Sequence, residues 1–331
     1  MCRHHPLITA CALLGLISAW SASADSHCLM DLGTLGGGGS RAHAVNNRGE
    51  VVGSSATASG PSHAFLWEAG VMTDLGTLGG MSSDAWGIND RGQVVGTSYV
   101  AGGSSHASLW QDGLMVDLGT LGGQWSVGQD VNNRGQVVGW SATASGLRHA
   151  FLWEKGVMTD LGTLGTAESL AWGINDRGQA VGYSFTMTPG FDHALLWQDG
   201  EITDLGTLGG SSGRAYRINN RGQVVGYSYT SGGAYHAFLW QKGVMTDMGT
   251  LGGFGSLASG INDSGQVVGY SAPTSGPYHA FLWVKGGMID LGAVGGFSSE
   301  AWGINDRGQV VGVSITDSGA YHAALWQPCN Q

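Results

Sequence analysis

The sequence predicts an all-β protein: a seven-bladed β-propeller, four antiparallel strands per blade, closed by an N-terminal strand that completes the last blade. Three observations predict it. Asp-Leu-Gly or a close variant begins at Asp31, Asp74, Asp117, Asp160, Asp204, Asp247 and Asp290, and every spacing is 43 residues except one of 44. Each unit reads as four short strands joined by hairpin turns, the pattern of a propeller blade. The two ends of the array are complementary fragments of one unit.

Residues 71 to 110 set out the unit. Val71 to Leu78 reads as one strand, and a loop begins at Gly79-Gly80. Ala85 to Asn89 is a second strand, and Asp90-Arg91-Gly92 turns it into Gln93-Val94-Val95-Gly96. Glycine at the end of such a turn supplies the positive φ that a bulged hairpin needs. A loop of Ala, Gly and Ser leads to His106-Ala107-Ser108-Leu109-Trp110, and Gln111-Asp112-Gly113 turns again. No helical apolar period interrupts the repeats.

The ends choose between a closed ring and an open solenoid. Leu29 to Gly33 matches the fourth strand of a unit whose first three strands are missing, and His322 to Trp326 is a third strand without a fourth. They complete one blade only if the chain closes on itself. Aligned on the other units, Cys329 stands at the Gly70 position and Cys28 at the Val71 position. A disulfide between them is expected, because its partners need Cα atoms within about 7 Å and only a closed ring brings these ends so near.

Residues 1–24 read as a secretory signal peptide. Arg3 precedes an apolar run from Pro6 to Trp20, and Ala22-Ser23-Ala24 forms a small-residue cleavage site. The run is too short to span a bilayer. Residues 25–331 are expected to form one propeller domain, secreted to the periplasm or beyond, with Cys28 and Cys329 as an even pair in an oxidising compartment. A formal charge of −10, with no run of lysines or arginines, argues against nucleic acid as a partner. The 60 glycines recur at fixed places among apolar residues, which marks a repeat array rather than a disordered chain.

The recurring His-Ala-Phe-Leu-Trp, Asn-Asp-Arg-Gly-Gln-Val-Val-Gly and Asp-Leu-Gly-Thr-Leu-Gly-Gly motifs resemble the HAF family of probable extracellular repeats. The likeness covers about residues 28 to 329 and implies an exported repeat protein of bacterial type, with no family activity to carry over. One departure is that Ser108, Leu195 and Ala324 stand where the other units have phenylalanine.

Residues that recur in every unit read as structural. The histidines at His63, His106, His149, His193, His236, His279 and His322 are expected to bond the nearby Gly-Thr-Leu-Gly loop of their own blade. Set around a ring they stand too far apart to share one zinc, whose ligands each lie about 2 Å from the metal. No metal or cofactor is expected. The tryptophans that close the His-Ala-Phe motif read as packing between blades.

Function is therefore sought where units differ. Strand alternation puts the Gly-Gly loops and the loops before histidine on one face. At the Trp86 position stand His43, Gln129, Trp172, Tyr216, Ser259 and Trp302, with Asp130 and Arg217 following two of them. Arg148, Asp192, Tyr235, Tyr278 and Tyr321 precede the histidines, and Trp125 lies in a Gly-rich loop. Aromatics with interspersed Arg and Asp around a mouth suit a polar ligand with apolar faces. The expected ligand-binding residues are Trp125, Gln129, Asp130, Arg148, Asp192, Tyr216, Arg217, Tyr235, Tyr278 and Tyr321. The expected function is a monomeric binding propeller for a glycan or an extracellular protein. The alternative is a polysaccharide lyase or glycoside hydrolase using His43, Asp130, Tyr216 and Arg217. Against that, no unit carries an insertion that could form a lid, and no nucleophile or phosphate motif is present.

Overall fold

The computed structural model describes residues 27–165, 168–186, 191–293, 297–315 and 319–329; the expected signal peptide lies outside them. The described residues form a β-propeller. In the first repeat the strands Gly36–Val45, Val51–Thr57, Ser62–Glu68 and Val71–Asp74 pair in that order from the ring axis outward. The expectation of seven separate four-stranded blades is corrected by the pairing. Five four-stranded blades stand as separate sheets, and the eight strands from Gly209–Ile218 to Gly287–Gly292 form one continuous sheet. The join is a parallel bridge between Tyr235 and Gly255. Gly255 makes it possible, since a Cβ there would lie 2.6 Å from the Tyr235 ring.

The N-terminal strand His27–Asp31 pairs antiparallel with Tyr321–Pro328, so the two chain ends share one sheet. Cys28 and Cys329 form a disulfide with Cα atoms 4.9 Å apart. Six other repeats join these two strands by a tight turn, as at Asp112-Gly113, where both residues have positive φ. Two such residues in succession are the signature of a type I′ hairpin. The disulfide stands in place of that turn.

Among the described residues seven apolar cores lie between neighbouring repeats, not within them. One joins Val95, Ala107 and Leu109 of the second repeat to Val131, Val137 and Phe151 of the third. Another joins Val311 and Leu325 of the last repeat to Val51 and Phe65 of the first, across the closure. Phe65, Phe151, Phe238 and Phe281 are fully buried, and Trp67, Trp153, Trp240 and Trp283 of the same repeats are half-buried. In the three repeats without that phenylalanine, Trp110, Trp197 and Trp326 are buried instead, at 6%, 3% and 0% exposure. The smaller residue leaves space that the indole fills, as close packing requires.

Asparagines close the ring at the opposite end from the Gly-Gly loops. The Asn46 carboxamide donates to the carbonyl of Asn89, and the relation repeats through Asn132, Asn175, Asn219, Asn262 and Asn305 back to Asn46, at 2.9–3.0 Å. Each side-chain oxygen also accepts backbone N–H groups of its own turn, as Asn132 does from Arg134 and Gln136. Next to this ring runs another, of Asn47, Asp90, Asn133, Asp176, Asn220, Asp263 and Asp306. In it each backbone N–H donates to the following side chain at 2.7–2.9 Å.

Candidate binding site at the ring centre

Every innermost strand carries one extra residue. In Gly79–Ile88, Ala85 pairs with Gly96 and Gly87 with Val95, so Trp86 is left over as a β-bulge. The same bulge leaves over His43, Gln129, Trp172, Tyr216, Ser259 and Trp302. A bulge re-aims its side chain, and here all seven bulge residues line one chamber of about 280 Å³ on the axis. The Val-Val-Gly glycines make the bulge possible, because a Cβ on Gly96 would collide with the carbonyl oxygen of Asp84 across the pair. Leu257, Tyr270, Glu300 and Arg217 complete the wall.

His43 is buried and sandwiched, with ring centroids 4.2 Å from Trp86 and 4.8 Å from Trp302. Its Nδ1 donates to the Ala85 carbonyl at 2.8 Å. Burial pushes its pKa down to about 4; the Ala85 bond opposes this, and the Arg41 and Arg217 charges reinforce it. The imidazole is therefore neutral at pH 7, with Nε2 as an acceptor. Opposite it Trp172 and Tyr216 meet edge to face at 5.3 Å, and burial pushes the Tyr216 phenol far above its usual range.

Because the inner strands run from the Gly-Gly loops toward the asparagine ring, the next level down is formed by the residues after the bulge. It is a waist of about 150 Å³, lined by His43, Asp130, Arg217, Ile88, Ile261 and Ile304 among others. Asp130 accepts the N–H of Val131 and of Ile174, at 3.0 Å each. Burial raises its pKa, and the Arg217 charge and the two N–H bonds hold it back. Arg217 Nη1 donates to the carbonyls of Trp172 at 2.6 Å and Tyr216 at 3.1 Å. Asp130 and Arg217 thus grip the fourth repeat from both sides. Its inner strand, Ser169–Ile174, has six residues where most others have ten.

The other expected ligand residues lie around the mouth. Asp192 is buried and ion-paired with Arg214, whose guanidinium sits 4.3 Å above the Tyr183 ring. Arg148 pairs with Glu168 at 2.6 Å, and Trp125 meets Trp140 edge to face at 5.3 Å. The Tyr235 and Tyr278 hydroxyls bond each other at 2.6 Å, and Tyr321 lies 5.0 Å below Arg41. The structure thus brings His43, Gln129, Tyr216 and Arg217 together in the chamber, sets Asp130 beneath them, and leaves the remaining six on the rim.

Sequence reasoning missed Arg41, Asp84, Arg214 and Glu300. They stand two residues before the bulge in their repeats, and strand alternation would have put them on the same side. Burial raises the pKa of Asp84 and Glu300, with Arg41 lowering both. Tyr270, on the second strand, was also missed; burial and then Glu300 push it up to about 12.

The motif histidines have partners other than those expected. Each Nδ1 bonds the aspartate that opens Asp-Leu-Gly, just before the expected loop, at 2.6–2.8 Å. That aspartate also accepts the N–H of the following glycine, as Asp74 does from Gly76 at 2.8 Å. The His322–Asp31 pair spans the closure.

No family model matches the chain, and no curated protein sequence matches it. Solved structures share its fold. The β-propeller domain of the trilobed protease from Pyrococcus furiosus superposes with a TM-score of 0.60 at 10% identity, over 87% of this chain and 95% of that one. The puromycin-hydrolyzing peptidase of Mycobacterium tuberculosis gives 0.55 at 11%, over 88% of this chain and 51% of that one. The acylaminoacyl peptidase of Pyrococcus horikoshii gives 0.53 at 12%, over 87% and 51%. The chain spans about half the length of these two peptidases. At such identities the likeness is one of fold.

Proposed function

We propose that this is an exported binding propeller that holds a glycan on the face carrying the Gly-Gly loops. The observation that carries the reading is the central chamber, lined by seven bulge residues of which five carry aromatic rings, with one carboxyl and one guanidinium in its wall. Sugars offer apolar C–H faces to aromatic rings and hydroxyls to charged groups, and a concave site with a few polar groups is what a small ligand needs. The disulfide supports an oxidising compartment, and the resemblance to HAF repeats supports export. Among the described residues no helix is long and apolar enough to cross a membrane.

A second reading, a polysaccharide lyase or glycoside hydrolase, draws on one observation: burial raises Asp84, Glu300 and Asp130 toward the range where a carboxyl can donate a proton. The residues first expected to act, His43, Asp130, Tyr216 and Arg217, surround the chamber and the waist. Three of them are engaged with backbone groups. One experiment separates the readings. The protein is passed over immobilised polysaccharides while new chain ends are assayed. Retention without cleavage supports binding, new ends make it an enzyme, and neither signal turns attention to a protein partner.

A further inference from the structure

The chamber has a shape that decides which part of a glycan can enter it. We propose that it is a socket for the terminal pyranose of a glycan chain, entered end-on along the ring axis. The proposal rests on the glycan reading above and adds the mode of recognition.

Size is the first reason. At about 280 Å³ the chamber lies just under the ~300–1,000 Å³ of pockets that take drug-sized molecules, which leaves room for one six-membered ring. Enclosure is the second. Inner strands of all seven repeats surround the chamber, so among the described residues no side passage leads out of it. Below it the space shrinks to the waist of about 150 Å³, into which Asp130 and Arg217 are fixed by their bonds to Ile174 and Trp172. Past the waist comes the hydrogen-bonded asparagine ring. An internal sugar has a neighbour on either side and would need two openings of sufficient width. A chain end needs one.

The wall chemistry is the third reason. Trp86, Trp302 and Tyr216 supply apolar surface, and Glu300 and Arg217 supply an acceptor and a donor. The two carbonyls that engage Arg217 use Nη1, one of the three guanidinium nitrogens. One carboxyl and one guanidinium among uncharged groups suit the hydroxyls of a sugar ring.

The test uses hexasaccharides cut from whichever polysaccharide the protein retains. One sample is attached to a support through its reducing end and the other through its non-reducing end, so that each exposes a single terminus. Retention on one orientation alone is the expected result. Equal retention on both overturns end-on entry and leaves glycan binding intact. Retention on neither, with the parent polymer still held, also overturns it, since an internal stretch is then the ligand. If no polysaccharide is retained, both readings fall. Leu257→Trp, which fills the chamber from its wall, is expected to weaken binding about 30-fold or more, the scale of a lost hot spot. Phe254→Ala on the outer rim is the comparison that leaves the socket whole. If Leu257→Trp does not fold, Trp302→Ala takes its place as the chamber variant, and the orientation result stands without either. A chamber variant that binds like the native chain, with the rim variant impaired, would sink the socket.

Discussion

Protonating His43 should destabilise the ring, by an amount its surroundings set. In the folded chain burial between two indoles holds its pKa down to about 4; in the unfolded chain it returns to about 6.5. Between these values the unfolded chain binds a proton that the folded chain refuses. Stability therefore falls as the pH drops from about 6.5 toward 4. The full difference is about 3 kcal/mol, of which about 2 kcal/mol is lost by pH 5. Carboxylates titrate over part of the same range, so the measurement is a comparison. His43→Gln is the reference, since Gln129 occupies the same bulge in the third repeat. Urea unfolding at pH 7, 6 and 5, with the disulfide intact, should show the gap between native and variant chains shifting by about 2 kcal/mol in the variant's favour. Parallel profiles, or an imidazole that titrates near 6.5 by NMR, would refute the burial argument.

Three other outcomes are expected. Asn132→Ala removes the acceptor of two backbone N–H groups and breaks the carboxamide ring; about 2–4 kcal/mol of stability should go, read by denaturant melts. Cys329→Ser should cost up to about 5 kcal/mol in the chain-entropy model and raise hydrogen exchange in His27–Asp31; free thiols at both cysteines of the native protein would contradict the link. Asp130→Ala and Arg217→Ala should each loosen Ser169–Ile174 in hydrogen exchange and cost about 1–3 kcal/mol. A normal exchange pattern with lost ligand binding would instead make Asp130 a ligand contact and remove the bracing role of both residues.

The all-β propeller class was legible because the repeats state it many times over, while the expected seven separate blades were not what formed. Gly92 and its counterparts marked the turns, and Cys28 and Cys329 marked the cut. What stayed hidden was set by contacts between repeats. The merging of eight strands depends on Gly255 meeting the Tyr235 ring, and nothing in the period of the sequence singles that glycine out of the 60 in the chain. The chamber was half legible. Variation at the Trp86 position pointed to it, but the bulge that turns these side chains to the axis leaves its trace in a different strand, as the glycine of Val-Val-Gly. Asp130 and Arg217 stood out as charges where other repeats have small residues. Their backbone bonds to Ile174 and Trp172 lie across repeat boundaries, and no local pattern encodes them.

The outer ring of amides and carboxylates has a parity. Going around, Asn47, Asp90, Asn133, Asp176 and Asn220 alternate, and each asparagine nitrogen reaches a carboxylate on both sides. Seven is odd, so strict alternation must meet itself out of phase. It does so once, at Asp263 and Asp306, where two carboxylates are neighbours and only a backbone N–H passes between them. An even-numbered ring could close without such a seam. The mismatch singles out one direction in a molecule that is otherwise nearly rotationally repetitive. Removing or adding one repeat would not simply resize the ring; it would change whether the pattern can be satisfied at all.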